Sequence, residues 1–186
     1  MKFLALFGTG ILLVTSSNLL AQRHRDPLTG PEIDKVRDSS WEPKLRLPLY
    51  VQFARARLDK LDQVRGDPKV TDRAKQTHDL LDDFQLLYDE LNDNIDTYVD
   101  RKDDIRKPLK TIIEADTEFQ SKLRALKDAA NVSPAEAAQY EFVLTNAIET
   151  IDSSADDHRK LLTEQEDEAK HKKLKKDASA GTGVQE

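Results

Sequence analysis

At 186 residues the chain is long enough for one domain with a real core, and its net charge of −6 disfavours non-specific nucleic-acid binding. Charged residues make up 34%, mean hydropathy is −0.68, and there are only six glycines and seven prolines, which argues against a sheet protein and for long solvated helices with apolar stripes. The absence of cysteine excludes disulfides, thiol catalysis, thiolate metal sites and sulfur-linked lipid or haem.

The first segment, "MKFLALFGTGILLVTSSNLLAQ", has a positive start at Lys2, an apolar run from Phe3 to Val14 and a small, polar exit. That is the anatomy of a secretory signal peptide over residues 1–21, with cleavage expected after Ala21. The apolar run is short for a membrane span of roughly 20 residues, and no later segment is long enough and apolar enough to cross a bilayer. Removal of the leader takes away Lys2, so the net charge moves from −6 to −7. It also takes away Met1, the sole methionine, which leaves no soft ligand for a metal or haem. An exported chain of this size without disulfides fits a bacterial envelope better than a eukaryotic secretory route, so a periplasmic or secreted bacterial location is expected.

Residues 22–43 form a lead-in with three prolines and one glycine. Thr29 and Glu32 have the spacing of a capping box, and a short helix from Glu32 to Asp38 is expected after it. Trp41, the only tryptophan, is expected to pack the lead-in onto the end of the domain, since a large aromatic gains most by burial. The helical bundle domain is placed at residues 44–173. Its first long helix covers Lys44 to Arg65 with Leu45, Leu49, Phe53, Leu58, Leu61 and Val64 as its apolar face. Pro48 suits a first turn, which would move the start to Leu47.

The second long helix begins at Thr71 or Asp72, both acceptable N-caps. Leu81, Phe84, Tyr88, Leu91, Ile95 and Tyr98 follow at steps of three and four, and Leu80, Leu87 and Val99 widen the stripe. A stripe so wide should touch more than one neighbour. Past Tyr98 the same spacing continues through Ile105, Leu109, Ile112, Phe119, Leu123 and Leu126. Two architectures follow. In one, the chain turns near residues 100–104 with Asp103 or Asp104 capping a third helix, giving an all-α antiparallel up-down bundle of four long helices. In the other, one long helix kinked at Pro108 gives an elongated three-helix arrangement. Stripe width favours the bundle, because a rod would leave apolar surface uncovered at both ends.

The last helix has the clearest start, "SPAE", with Ser133 as N-cap, Pro134 at the first position and Glu136 at the third. Tyr140, Leu144, Ala147, Ile148, Ile151, Ala155 and Leu162 form its apolar face, and residues 174–186 are expected to be a disordered tail.

Chemistry-bearing residues are few. Residues 76–100 hold eight acids and no lysine or arginine, and Asp82, Asp89, Asp93, Asp96 and Asp100 line one helix face. They are the weak candidates for a hard-cation site, although no calcium loop or glycine turn converges them. The favoured reading is charge pairing with the first long helix, Arg55 and Arg57 approaching Asp79, Asp82 and Asp83, and Arg46 approaching Asp89 and Glu90. Of the four histidines, only His171 has a glutamate, Glu168, at the spacing of a dimetal motif, and His158 is expected to be a partly buried, hydrogen-bonded core histidine. Ser39, Ser40, Ser153 and Ser154 have no elbow or paired base, so no catalytic residue and no cofactor is assigned.

Lys170, Lys172, Lys173, Lys175 and Lys176 form a basic cluster that suits the negative end of the helix dipole and offers a contact to another protein or an anionic envelope surface. The functional expectation is therefore an exported, non-catalytic interaction or structural module of the bacterial envelope, with self-association left open. The alternative is a binding protein for a hard cation or small ligand, using the acidic face of the second helix.

Overall fold

The computed structural model describes residues 26–129 and 132–181, so the expected leader, His24 and the last five residues lie outside it. Among the described residues every regular element is helical: α1 (Gly30–Asp38), α2 (Pro43–Gly66), α3 (Arg73–Asp100), α4 (Arg106–Lys127), α5 (Pro134–Ala137) and α6 (Glu141–Gly181). None of these helices is long and apolar enough to cross a membrane.

The lead-in helix starts two residues earlier than expected, but its cap is the expected one. Thr29 donates its N–H and hydroxyl to Glu32 Oε2 at 2.8 and 2.9 Å. Arg57 of α2 then holds the same carboxylate at 2.6 and 2.9 Å, which straps α1 along α2. α2 begins at Pro43, one residue before the expected Lys44, so the alternative start at Leu47 falls away and Pro48 lies within the helix. That proline leaves only the carbonyl of exposed Lys44 without its helical donor, a small loss where water can replace it. The buried face of α2 also differs at its start. Leu47, Tyr50, Val51 and Ala54 are buried while Leu45 is 58% exposed. Two leucine ladders compete here, and packing against α1, α3 and α4 selects the second.

α3 follows expectation closely: Asp72 is its N-cap, and Leu81, Phe84, Leu87, Tyr88, Leu91, Ile95 and Tyr98 are all buried. Its wide stripe is shared between α2 and α6. The chain turns after it, which decides against the kinked rod. Lys102 adopts φ 62°, its N–H bonding to the Val99 carbonyl at 2.9 Å while Asp103 N–H reaches the Tyr98 carbonyl at 2.9 Å. These paired bonds are the usual left-handed helix stop, built here on lysine where glycine is the common choice. The N-cap of α4 is Ile105, correcting the expectation of Asp103 or Asp104, and Pro108 falls in the first turn, where a missing N–H leaves no helical bond unmade. Burial sets that register, since Ile105 is fully enclosed and its N–H bonds to Gln165 Oε1 of α6 at 3.1 Å. Gln165 Nε2 in turn donates to the Asp103 carbonyl at 3.1 Å, so one side chain clasps the turn from both sides.

Ser133 caps as expected, accepting from Glu136 N–H at 3.2 Å, yet it opens only the one-turn helix α5. The long helix restarts at Glu141. The break places Tyr140 and Glu136 against Arg65 at the end of α2, at 3.3 and 3.7 Å. At its far end α6 continues to Gly181, past the expected boundary at residue 173. Propagation adds a backbone bond per residue once a helix is nucleated, and "KKLKKDASA" contains good helix formers, so the helix outlasts its packing.

The four long helices alternate in direction, but the ring they form has two antiparallel and two parallel sides. Arg46 meets Asn94, and Arg124 meets Asp152, so α2/α3 and α4/α6 are antiparallel. Arg55 meets Glu118 and Lys122 meets Asp59 and Asp62, so α2/α4 is parallel, and Asn92 to Ser154 gives the same sense for α3/α6. The 101–105 turn therefore carries the chain across the diagonal, where Phe84 and Phe119 meet edge to face with centroids 5.4 Å apart.

Candidate functional site

Two places in the fold carry polar chemistry: a buried triad at mid-bundle, and the end where the 101–105 turn meets α6.

In the triad, Asp116 of α4 is 1% exposed and His158 of α6 is 4% exposed. Tyr88 of α3 donates its hydroxyl to Asp116 Oδ1 at 2.8 Å, and His158 Nδ1 lies 2.9 Å from Asp116 Oδ2, where a carboxylate oxygen accepts. One carboxylate thus joins three helices. Burial, then the charge of Asp116 and its hydrogen bond, push the Tyr88 phenol well above its ordinary value, so it stays a donor. The expectation of a buried, hydrogen-bonded His158 holds. Asp116 was missed. Its signal was present in the sequence: it lies four residues after Ile112 and three before Phe119, an acid inside an apolar stripe.

Arg46 and Arg55 do not pair with the acidic row on α3 as expected. Arg55 turns to Glu118 on α4 at 2.9 Å, Arg57 to Glu32 and the Pro27 carbonyl, and Arg46 to Asn94 Oδ1 at 2.8 Å and the Val36 carbonyl at 3.2 Å. Asp79 is matched within its own helix by Lys75. The reason is geometric: Arg55 lies toward α4 and Arg46 toward Asn94 of α3 and the Val36 carbonyl of α1, whereas Asp89, Asp93, Asp96 and Asp100 are exposed and Asp82 is half-buried. Desolvation by the surrounding helix surface, then the charges of Asp93 and Glu90, raise the Asp89 carboxyl. Among the described residues no three Asp, Glu or His side chains converge as a metal ligand set.

At the turn end, a shallow groove runs between the clasped turn and α6, lined by Lys102, Asp103, Arg106, Gln165, Glu168 and Lys172. Arg106 pairs with Asp104 at 2.6 Å, Lys110 with Glu166 at 2.9 Å, Lys170 with Asp167 at 2.9 Å and Lys172 with Glu168 at 3.4 Å. The Arg106 hydrogen bonds, outweighing slight burial and helped by the charges of Arg106 and Lys44, hold the Asp104 carboxyl at about 2. Lys44 of α2 is therefore at this end too. The five predicted lysines, 170, 172, 173, 175 and 176, are all exposed on the part of α6 that runs past the turn.

Trp41 departs from expectation. It is 55% exposed at the α1–α2 corner, with the Arg46 guanidinium 4.2 Å from its ring centroid. It packs on a neighbouring cation and does not plug the core. No protein-family model matches the chain, and no curated protein or solved structure is similar enough to count as a match.

Proposed function

We propose that this chain is an exported interaction module of the bacterial envelope, whose contact element is the basic arm of α6. The observation that carries the reading is the length of that helix. Forty-one residues give about 62 Å at 1.5 Å per residue, against about 33 Å for the twenty-two residues of α4 beside it. The surplus is presented past the turn as an exposed helix bearing five lysines. A lysine close to an anionic surface contributes about 1 kcal/mol, so five exposed lysines are enough to hold a small protein reversibly. The export part of the reading rests on the leader pattern of residues 1–21. The arm is favoured over the acidic row as the binding element, since Asp82 to Asp100 stretch along about 27 Å of one helix and do not converge.

The test is cosedimentation of the 22–186 chain with phosphatidylglycerol-containing vesicles and with an acidic polysaccharide, at low and physiological salt. Replacing all five lysines by glutamine is expected to weaken binding at least tenfold and to flatten its salt dependence. Unchanged binding by that variant would remove the reading.

A further inference from the structure

We infer that the turn end of the bundle docks on an anionic phospholipid bilayer, with Trp41 and Leu45 seated in the interface and the basic residues around them facing the headgroups; this rests on the reading above and names its surface. The geometry starts at the α1–α2 corner. Ser40 and Trp41 are consecutive non-glycine residues with φ 49° and 60°, a backbone state that persists only where its surroundings fix it. They do so here: Ser39 donates its hydroxyl to the Val36 carbonyl at 2.6 Å, and Glu42 N–H bonds to the Ser39 carbonyl at 2.9 Å. Arg46, tied to Asn94 and Val36, covers one face of the indole. The corner thus holds a large aromatic outward, next to exposed Leu45.

This corner shares its end of the molecule with the basic groups. Arg46 bonds to Asn94 near the end of α3, the 101–105 turn follows it, and Lys44 adds its charge to Asp104 in that turn. Residues 101–110 hold five cations and two acids, and residues 169–178 five lysines and one acid, in a chain of net charge −6. The acids nearby are engaged, Asp104 with Arg106, Glu166 with Lys110, Asp167 with Lys170 and Glu168 with Lys172. Lys44, Lys102, Lys107, Lys173 and Lys175 form no ion pair within 4.0 Å among the described residues. Leu174, 65% exposed, adds an apolar contact on the arm itself. A soluble polyanion would engage the lysines and leave the indole and leucines in water. A bilayer surface takes both, because tryptophan partitions to the headgroup level while lysine and arginine meet the lipid phosphates.

Trp41 is the chain's single tryptophan, so its own fluorescence reports the docking. The experiment titrates the 22–186 chain with vesicles of phosphatidylglycerol and phosphatidylcholine, with phosphatidylcholine alone, with anionic vesicles carrying brominated acyl chains, and with an acidic polysaccharide. Anionic vesicles are expected to blue-shift the emission and brominated chains to quench it. Trp41→Ala and Trp41→Phe, checked for an unchanged urea midpoint, are expected to weaken vesicle affinity about tenfold and less, respectively. Vesicle binding without blue shift and quenching, or with full affinity in Trp41→Ala, would overturn the inference and leave the arm as the contact. Binding to polysaccharide alone would do the same, and binding to neither surface would overturn both readings.

Discussion

Asp116 holds the most consequential side chain in the core. Its carboxylate is enclosed and shared by Tyr88 and His158, so truncation would strand two buried donors on two other helices. Asp116→Ala is expected to destabilise the fold by about 3 kcal/mol in urea denaturation. Replacing the whole triad by Tyr88→Phe, Asp116→Leu and His158→Leu should fall within about 1 kcal/mol of the parent, since buried polar groups cost most when half-satisfied. Glu32 gives the clearest pH dependence. Burial alone would raise its carboxyl, but the Arg57 hydrogen bonds, the Thr29 N–H and hydroxyl and the Arg57 charge outweigh that and hold it at about 2, below the ordinary 4.5. The stabilisation is therefore complete above about pH 4.5 and is lost as pH falls toward 2. With solvent screening it amounts to roughly 1–2 kcal/mol, read as the difference in acid sensitivity between the parent and Glu32→Gln.

Among the elements, the 101–105 turn is the one whose sequence is most misleading. It has no glycine or asparagine, and the apolar spacing runs through it without losing phase. What stops α3 is Lys102 in the left-handed region, secured from outside by Gln165. Lys102→Gly should relieve the side-chain penalty and stabilise the fold by about 0.5–1 kcal/mol, although glycine's freer unfolded chain offsets part of the gain. Gln165→Ala removes the acceptor of the buried Ile105 N–H and should cost about 1–3 kcal/mol in thermal or urea unfolding. A clasp formed by a residue 60 positions away cannot be read from the turn itself.

For the whole molecule, the decisive feature is that α6 outlasts its partners. Ending the chain after Ala169 keeps Gln165 and the full core, so its midpoint should stay within about 2 °C of the parent while vesicle binding weakens at least tenfold. Small-angle scattering should show the maximum dimension shortened by about 18 Å, the length of the twelve helical residues removed from the described arm. The lysine cluster was legible because charge needs no partner to be seen in a sequence. The exposure of Trp41 was not, because burial is only the average fate of an aromatic, and this one sits on a fixed corner with a guanidinium against its face.

The sequence alone determined the helical class, the stripes of α3, α4 and α6, and the caps at Thr29 and Ser133. These depend on residue spacing and on hydrogen bonds made within a turn or two of chain. Tertiary structure alone decided which leucine ladder of α2 is buried, that the chain turns at Lys102 and crosses the bundle diagonally, and that Asp116 meets Tyr88 and His158. Each of these depends on which side chain another helix brings alongside, and a one-dimensional pattern records the faces of a helix without naming the neighbours that fill them.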